Sequence, residues 1–267
     1  MEMIKSKVHL SVITINYNDA AGLEATILSV VSQTYPEIEF IIIDGYSTDE
    51  SREVIRKYQS DLTYWVSEKD TGIYNAMNKG INAATGDYLL FLNSGDVFNG
   101  NTALEDFVTH PDFEGDIIYG DYKFEKGGKV YPDHLTPLFF MRTSLPHQST
   151  LFHKNVFEKM GMYDEKYRIV SDRAFYIKCF LSNQFIFRHI NYALSVFDLS
   201  GVSNTVAHKK IKITEDEMMF QEYYGVYYED YKKMLALESE LNQVKKKTLS
   251  GIGKRIVNKI KHVCRIH

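Results

Sequence analysis

Short apolar runs alternate with helical segments along the first hundred residues, and this alternation constrains the fold more than any other feature of the chain. The apolar runs are residues 8–15, 40–43, 62–66 and 87–92. Each has the length of a strand and the composition of one that is buried on both faces. After the first run, apolar side chains from Leu23 to Val31 recur at helical spacing. The pattern predicts an α/β fold with a mostly parallel central sheet, flanked by helices and joined by right-handed crossovers.

Each of the predicted strands runs into a polar or acidic loop. The loops are residues 16–19, 44–47, 67–70 and 93–96. In open parallel sheets, ligands bind beyond the carboxyl ends of the strands, so these loops together form the candidate site. The first loop has no glycine-rich fingerprint, and the chain has no phosphate-binding loop that ends in Gly-Lys-Ser/Thr. Dinucleotide-binding dehydrogenases and P-loop kinases are therefore excluded.

The loop at residues 93–96 reads Asn-Ser-Gly-Asp and directly follows an apolar run. Asp96 with a neighbouring polar group could hold Mg²⁺ or Mn²⁺, because these ions prefer oxygen ligands and leave positions open for water and phosphate. Taken alone, however, the same segment is more typical of a β-turn.

The charge of the chain is divided unevenly. The 267 residues carry a formal net charge of −4, but residues 245–267 hold eight basic side chains and no acidic one. The residues before them therefore carry 23 basic and 35 acidic side chains, a charge of −12. This acidic body does not favour a nucleic-acid partner, because contacts with phosphate need a basic surface.

The basic tail has the pattern of an amphipathic helix. Ile252, Ile256 and Ile260 recur every four residues, and Val263 follows three residues later. Such a helix either lies on anionic lipid or packs against the body or another subunit, and the sequence leaves both readings and the oligomeric state open.

The cysteines and the N-terminus indicate the compartment. Cys179 and Cys264 are too few and too distant for a disulfide scaffold or a zinc cluster. The chain shows neither a cleavable apolar leader nor an apolar run that could span a membrane. We therefore expect a cytoplasmic protein, with peripheral contact at the inner face of the membrane if the tail binds lipid.

Four motifs occur in order along the first hundred residues. They are Ser-Val-Ile-Thr-Ile-Asn-Tyr-Asn at 11–18, Ile-Asp-Gly-Tyr-Ser-Thr-Asp at 43–49, Ser-Glu-Lys-Asp-Thr-Gly-Ile-Tyr-Asn-Ala-Met-Asn-Lys-Gly at 67–80, and Phe-Leu-Asn-Ser-Gly-Asp at 91–96. In combination they resemble the nucleotide-sugar domain of family 2 glycosyltransferases, which have the GT-A fold. The resemblance is strongest to a bacterial polysaccharide-biosynthesis subgroup and covers about residues 8–205.

The resemblance implies a domain organisation and an activity. Residues 1–208 would form the GT-A domain, with a nucleotide-sugar half at 1–100 and an acceptor half at 101–208. Residues 209–267 would form a helical C-terminal extension that ends in the basic tail. The implied activity is that of an inverting glycosyltransferase in cell-surface polysaccharide or glycolipid assembly. It would move a sugar from a nucleotide diphosphate sugar, with UDP favoured as the carrier, to a hydroxyl of a glycan or lipid-linked acceptor.

The residues that the resemblance places against the donor lie in the polar loops after the predicted strands and on the helix after the third. They are Thr14, Asn16, Asn18, Asp44, Ser47, Asp70, Asn75, Lys79, Asn93 and Ser94. Asp96 would be the direct ligand of a Mn²⁺ or Mg²⁺ ion that is bound with the donor diphosphate. His208 would be a late ligand of the same ion, or is a residue exposed to solvent.

The second half of the chain would supply a base and the acceptor site. A sugar hydroxyl that attacks an anomeric carbon needs a carboxylate within reach to take its proton. The resemblance assigns this role to Asp172, although an acid that opens a helix is also typical of an ordinary N-cap. His147 and Gln148 match a segment that lines the subgroup's active site, yet His147 is equally compatible with a structural role. Gly201 and Ser203 lie in a loop that would close over the donor.

The sequence departs from the family pattern at two positions. Gly45 stands where a second acid commonly follows Asp44, and Asn93 stands where the Asp-x-Asp motif has its first acid. The change at Asn93 favours an alternative, a catalytically impaired nucleotide-sugar binding subunit of a polysaccharide assembly complex. A nucleotidyltransferase is a third class, but it would need a basic triphosphate loop, and residues 14–22 contain no Lys or Arg.

Overall fold

The computed structural model describes residues 7–197 and 206–263, with side chains over residues 7–197 and 209–248. The chain divides into two compact units, Met1–Met219 and Phe220–His267. The boundary that we expect from the sequence, between residues 208 and 209, lies inside the helix Val206–Tyr224.

A mixed sheet of nine strands runs through the described part of the first unit. The strands are β1 (Leu10–Asn16), β2 (Ile38–Asp44), β3 (Tyr64–Ser67), β4 (Tyr88–Phe91), β5 (Val97–Phe98), β6 (Ile117–Phe124), β7 (Gly127–Lys129), β8 (Thr150–His153) and β9 (Phe187–Val196). Their order is β3-β2-β1-β4-β8-β6-β9-β5, and β7 pairs with β6. The first four strands are parallel, whereas β8 is antiparallel to β4 and β6. The predicted α/β sheet is confirmed.

Helices connect the strands and continue beyond the sheet. They are α1 (Ala20–Val31), α2 (Ser51–Lys57), α3 (Ile73–Ala83), α4 (Ala103–Val108), α5 (Pro137–Arg142), α6 (Lys154–Met160), α7 (Ser171–Ser182), α8 (Val206–Tyr224) and α9 (Tyr228–Val263). The crossovers α1, α2 and α3 are those that the sequence predicts. The last two helices form the expected helical C-terminal region, and no helix in residues 7–197 or 206–263 is long and apolar enough to span a membrane.

Asp49 anchors the first two crossover helices. The N-cap position of α2 belongs to Glu50, whose side chain makes no capping bond. Asp49 Oδ1 accepts from the Ser51 N–H at 3.1 Å, and Oδ2 accepts from the Ala20 N–H at 3.0 Å. One carboxylate therefore satisfies amides at the starts of α1 and α2, where an anion is electrostatically favoured.

Aliphatic side chains form the core around the parallel strands. All seven residues of β1 are buried, and α1 buries Leu23, Ile27 and Val30. Val31, which the sequence places on the same helix face, is 41% exposed. Successive helical residues point about 100° apart, so Val31 lies outside the stripe to which Val30 belongs.

Aromatic rings join the second half of the chain to the sheet. Phe157 of α6 stacks on Phe175 of α7 with ring centroids 5.0 Å apart. Tyr163, in the loop between these helices, contacts Phe175 at 5.3 Å and Phe91 of β4 at 5.6 Å. Because β4 ends in the candidate site, this packing also brings the start of α7 toward it.

A buried glutamate, Glu39, stabilises the amino-terminal ends of β1 and β2. Glu39 is only 5% exposed and accepts hydrogen bonds from the Ser11 hydroxyl and from the N–H and hydroxyl of Thr85, the last two at 2.8 Å. Burial alone would raise the pKa of the Glu39 carboxyl, but these hydrogen bonds outweigh it and the pKa is lowered. The ionised carboxylate therefore ties β2 to β1 and to the loop before β4.

We predict that Glu39→Gln lowers the free energy of unfolding at pH 7 by about 1–3 kcal/mol, because buried donors lose an ionised acceptor. The folded pKa lies below the ordinary value of 4.5, so the stabilisation is complete above that pH and is lost as the pH falls through the folded pKa. Urea denaturation at pH 7 and pH 4 should show a gap between wild type and variant that narrows in acid. Glu37→Gln, at an exposed ion pair, is the matched control, and equal stability of Glu39→Gln and wild type at pH 7 would contradict the prediction.

Candidate active site

Three polar side chains meet where β1, β2 and β3 end. The strand register pairs Asn16 with Asp44, and Asp44 with Ser67. Parallel strands finish at one edge of their sheet, so neighbouring strands present these residues side by side. Asp44, in the middle, is fully buried.

The Asp44 carboxylate accepts four hydrogen bonds. Oδ1 accepts from Asn16 Nδ2 at 2.7 Å and from the Ser47 hydroxyl. Oδ2 accepts from Ser67 Oγ at 2.6 Å and from the Ser47 N–H at 3.0 Å. A carboxylate offers about four acceptor positions, so all those of Asp44 are taken up inside the protein. The buried charge thereby ties the loops after β1, β2 and β3 together.

The structure places four of the predicted donor-contact residues in the interior. Thr14 donates to a backbone carbonyl just after β4 at 2.7 Å, and Asn16 Oδ1 accepts from the Ser94 hydroxyl at 2.8 Å. Like Asp44 and Ser47, Thr14 and Asn16 are at most 1% exposed. Direct contact of these four side chains with a donor stays a prediction, and their observed partners are other protein groups at the strand ends.

More accessible groups surround this buried network. Asn18 has a left-handed backbone with φ 53°, and its Oδ1 accepts from the Thr48 N–H at 2.8 Å. Asp70 is half-buried, and burial raises the pKa of its carboxyl while a hydrogen bond from the Gly72 N–H opposes the shift. Tyr17 is 68% exposed at the same edge and was not predicted. An aromatic residue inside a polar strand-end loop is the signal that could have identified it.

Gly45 has a steric explanation. A Cβ at this position would lie 2.6 Å from Asp70 Oδ2 and 3.2 Å from Tyr17 Cδ2. Any side chain at residue 45 would therefore displace the Asp70 carboxylate, the Tyr17 ring or both. Asp70 lies close to residue 45, and this explains why glycine and not a second acid follows Asp44.

Glu165 organises the polar face of α3, and no sequence motif points to it. Its carboxylate accepts from Asn75 Nδ2 and from Asn78 Nδ2, each at 3.1 Å, and these bonds help to lower its pKa. Asn78 is therefore buried by the loop that carries Glu165 and does not face solvent. Lys79, a predicted donor contact, donates to the Lys69 carbonyl at 2.9 Å and is directed to the loop after β3.

His147 lies between two of the predicted functional carboxylates. Its Nε2 is 4.0 Å from Asp96 Oδ2, and its Nδ1 is 3.9 Å from Asp172 Oδ2. Asn93 Nδ2 lies 3.3 Å from His147 Nε2. The structure thus brings together four predicted residues from three distant parts of the chain. Gln148, the residue after His147, is buried.

The protonation state of His147 follows from its surroundings. The side chain is 24% exposed, but desolvation by the protein lowers its pKa, against an opposing effect of the Asp172 carboxylate. A neutral ring accepts a hydrogen bond from the Asn93 amide at Nε2 and carries its own proton on Nδ1, toward Asp172. In this assignment His147 neutralises neither carboxylate.

Asp172 lies in the first turn of α7, one residue beyond its start. The N-cap is Val170, so Asp172 is not the cap that its sequence position also allows. Its Oδ1 lies 3.0 Å from the Tyr74 hydroxyl, which is also 2.8 Å from the Ile169 carbonyl. Burial, followed by the charge of Asp172, raises the pKa of Tyr74 well above its usual range. Tyr74 therefore keeps its proton and serves the site as a hydrogen-bond donor, and no local sequence pattern reveals it.

The side-chain oxygen atoms of Asp96 and Asn93 fit a hard divalent cation that has few protein ligands. Asn93 Oδ1 is buried without a hydrogen-bond partner in the described part of the chain, and the Asp96 side chain is only 5% exposed. An amide oxygen beside a carboxylate suits Mg²⁺ or Mn²⁺, which take further ligands from water and phosphate. No cluster of three or more His, Cys, Asp or Glu side chains suited to a metal occurs among the described residues. The predicted Gly201, Ser203 and the His208 side chain lie outside them.

We predict that Asp44→Asn destabilises the fold by about 1–3 kcal/mol, because an amide cannot accept all four hydrogen bonds that the buried carboxylate accepts. Urea denaturation measures the loss. Asp70→Asn is the matched control at the half-buried acid of the same edge, and we expect it to leave the unfolding free energy within about 0.5 kcal/mol of wild type. Equal effects of the two substitutions would contradict the role of Asp44 as the organising charge.

Sequence comparisons agree with this architecture. The chain matches the model of glycosyl transferase family 2 over residues 11–179. A PGL/p-HBAD biosynthesis glycosyltransferase of Mycobacterium bovis is 29% identical over 211 residues, which are 75% of this chain and 81% of the relative. An uncharacterized glycosyltransferase of Mycobacterium tuberculosis is 34% identical over 203 residues, with coverages of 73% and 77%.

Solved structures show the same fold. Residues 1–349 of S. aureus TarS in complex with UDP-GlcNAc match with a TM-score of 0.64 and 18% identity, over 85% of this chain and 70% of TarS 1–349. A mannosyltransferase from Pyrobaculum calidifontis in complex with GDP-Man and Mn²⁺ matches with a TM-score of 0.60 and 16% identity, over 82% and 64% of the two chains. These likenesses confirm the GT-A fold expected from the sequence. With that fold and a family match over most of the sheet, the chain belongs to glycosyl transferase family 2.

Proposed function

We propose that this glycosyltransferase is an inverting enzyme that transfers a sugar from a UDP-sugar to a hydroxyl of a glycan or lipid-linked acceptor. The observation that carries the proposal is the convergence of Asp96, His147 and Asp172 beyond the sheet edge that Asp44 organises. The M. bovis relative is named as a biosynthesis glycosyltransferase, which supports a biosynthetic transfer, and we place that transfer in cell-surface polysaccharide or glycolipid assembly. The TarS complex with UDP-GlcNAc supports a UDP-sugar, while the mannosyltransferase complex makes GDP the competing carrier.

Asp172 would act as the general base. Its carboxylate takes the proton of the acceptor hydroxyl while that oxygen attacks the anomeric carbon, and the bond from this carbon to the diphosphate oxygen breaks. Attack opposite the leaving group inverts the anomeric configuration. Tyr74 holds Asp172 from the side of α3, and its raised pKa keeps its own proton in place. At 19% exposure, the Asp172 side chain is open to an incoming hydroxyl.

The donor diphosphate would lie at the end of β4. Asp96 and the unpartnered oxygen of Asn93 would hold the divalent cation there, Mn²⁺ or Mg²⁺. When bound, such an ion neutralises charge that develops on a departing diphosphate. The exposed Tyr17 and the half-buried Asp70, beside Gly45, would contact the nucleoside.

A lipid-linked acceptor would also give the basic tail, residues 245–267, a role. A lipid-linked acceptor lies at a membrane surface, where residues 245–267 would meet anionic lipid at the cytoplasmic face. The exposed Lys245, Lys246 and Lys247 support this contact. Cationic side chains near such a surface each contribute about 1 kcal/mol to binding.

We predict that Asp172→Asn lowers transfer by about 10²–10⁴-fold, because the amide cannot take the acceptor proton. Donor binding should stay near wild type, since the proposed role of Asp172 is toward the acceptor and not the donor. The measurements are transfer kinetics and calorimetric titration with UDP and Mn²⁺. The exposed Asp61→Asn controls for loss of one carboxylate, and full activity of Asp172→Asn would remove Asp172 from the mechanism.

We predict that Asp96→Asn abolishes the Mn²⁺-dependent part of nucleotide binding. Saturating UDP at about a hundred times its Kd stabilises a protein by about 2.7 kcal/mol, which is readily seen as a shift in Tm. Wild type should shift more with UDP and Mn²⁺ than with UDP and EDTA, whereas Asp96→Asn should shift equally in both. Asp112→Asn, at an exposed position, should behave as wild type. A Mn²⁺-dependent shift that survives in Asp96→Asn would show that the ion binds elsewhere.

Asn93 favours one competing function, a nucleotide-sugar binding subunit without catalytic activity. Wild type that binds a nucleotide sugar but neither hydrolyses nor transfers it, with or without Mn²⁺, would support that alternative. A Tm panel of UDP-GlcNAc, UDP-glucose, UDP-galactose and GDP-mannose with Mn²⁺ would select the donor for this assay.

A further inference from the structure

The start of α7, which carries Asp172, is capped from a remote part of the chain. The first amides of a helix have no partner within it, and a polar N-cap side chain usually accepts from one of them. Here the N-cap is Val170, which has no polar side chain, and no cap bond is made locally. The backbone that leads into the helix is held instead from elsewhere in the fold, through the amides of residues 168–170, of which only that of Val170 belongs to the cap.

Glu215 of α8 accepts from these three amides just before the helix. Its Oε1 accepts from the Arg168 N–H at 2.7 Å, and its Oε2 accepts from the N–H groups of Ile169 and Val170 at 2.9 and 3.3 Å. Glu215 is 7% exposed, although it lies 45 residues beyond the amide that it caps at Val170. Three consecutive amides around one carboxylate form an anion-binding concavity at the positive end of a helix.

The next residue of α8 binds the other side of Asp172. Asp216 Oδ1 accepts from Arg173 Nη1 at 2.8 Å, while Arg173 Nε donates to the Phe140 carbonyl at 2.8 Å. Two adjacent acids of α8 thus hold the backbone before Asp172 and the side chain after it. Charged hydrogen bonds at buried positions are short and directional, so they restrict the conformation of the segment between them.

The capped segment is also the one that orients Asp172. The Ile169 N–H is bound by Glu215, and the Ile169 carbonyl lies 2.8 Å from the same Tyr74 hydroxyl that is 3.0 Å from Asp172 Oδ1. Movement of residues 168–170 would therefore change the position of Tyr74 relative to Asp172. Catalytic groups that are displaced by even about 1 Å can lose about 10²-fold in rate.

We propose that Glu215 is a positioning residue that holds the Asp172 carboxylate in its reactive place by capping the amides of residues 168–170. The inference rests on the proposed function, because it assigns Glu215 an effect on the step that Asp172 performs. Glu215 does not touch the reacting atoms and acts only through the backbone that precedes Asp172.

The test compares Glu215→Gln with wild type and with Glu158→Gln, an exposed glutamate of α6 that controls for the loss of one charge. The donor is the nucleotide sugar selected by the Tm panel, with Mn²⁺. We expect kcat of Glu215→Gln to fall about 10–100-fold, in line with a displaced catalytic group. The donor KM and the stoichiometry of UDP binding should stay within twofold of wild type, which a partly unfolded protein would not achieve.

Hydrogen exchange supplies a readout that does not depend on turnover. In Glu215→Gln the amides of residues 168–170 should exchange at least tenfold faster, while amides of β1 and β2 keep their wild-type rates. The positioning role would be overturned if both variants kept the wild-type kcat or lost it to the same extent. It would also be overturned if the amides of residues 168–170 exchanged at the wild-type rate in Glu215→Gln. Wild type that turns over no donor would instead disprove the proposed function, and the inference with it.

Discussion

A buried negative charge at the sheet edge is the interaction on which the rest of the site depends. Asp44 is fully buried, and its four hydrogen bonds come from the ends of β1 and β3 and from the loop after β2. A buried charge is tolerated only with such complete pairing, so the loops cannot move independently without exposing it or leaving donors unpaired. Asp70, Tyr17 and Asp96 are presented on this fixed edge.

The second half of the chain completes the site by long-range contacts. His147 enters between Asp96 and Asp172 within 4.0 Å of each, and the aromatic packing of α6 and α7 brings Asp172 toward the end of β4. A neutral His147 forms an ion pair with neither carboxylate, which leaves one suited to a cation and the other to a proton. The two carboxylates are thus held in different environments, which is what separate chemical roles require.

Much of the fold could be predicted because local sequence patterns indicate its strands and helices. The apolar runs identified β1 to β4, and the rule that parallel strands end at one edge placed Asn16, Asp44 and Ser67 together. Val31 was wrongly placed on the buried face of α1, because it lies just outside that stripe of the helix. Burial that depends on a partner far away in sequence has no local pattern: Asn78 is buried because the loop that carries Glu165 folds over it.

Strand and helix periodicities and loop composition are local properties, so the fold class, the family motifs and the identity of most polar residues at the site follow from the order of amino acids. The folded structure settles how those residues act on one another. It made Asp44 a buried organiser, explained Gly45 by the space that Asp70 and Tyr17 occupy, and joined Tyr74 and Glu215 to Asp172. These relations depend on burial and hydrogen bonding between segments up to 98 residues apart, and no local pattern encodes such pairing.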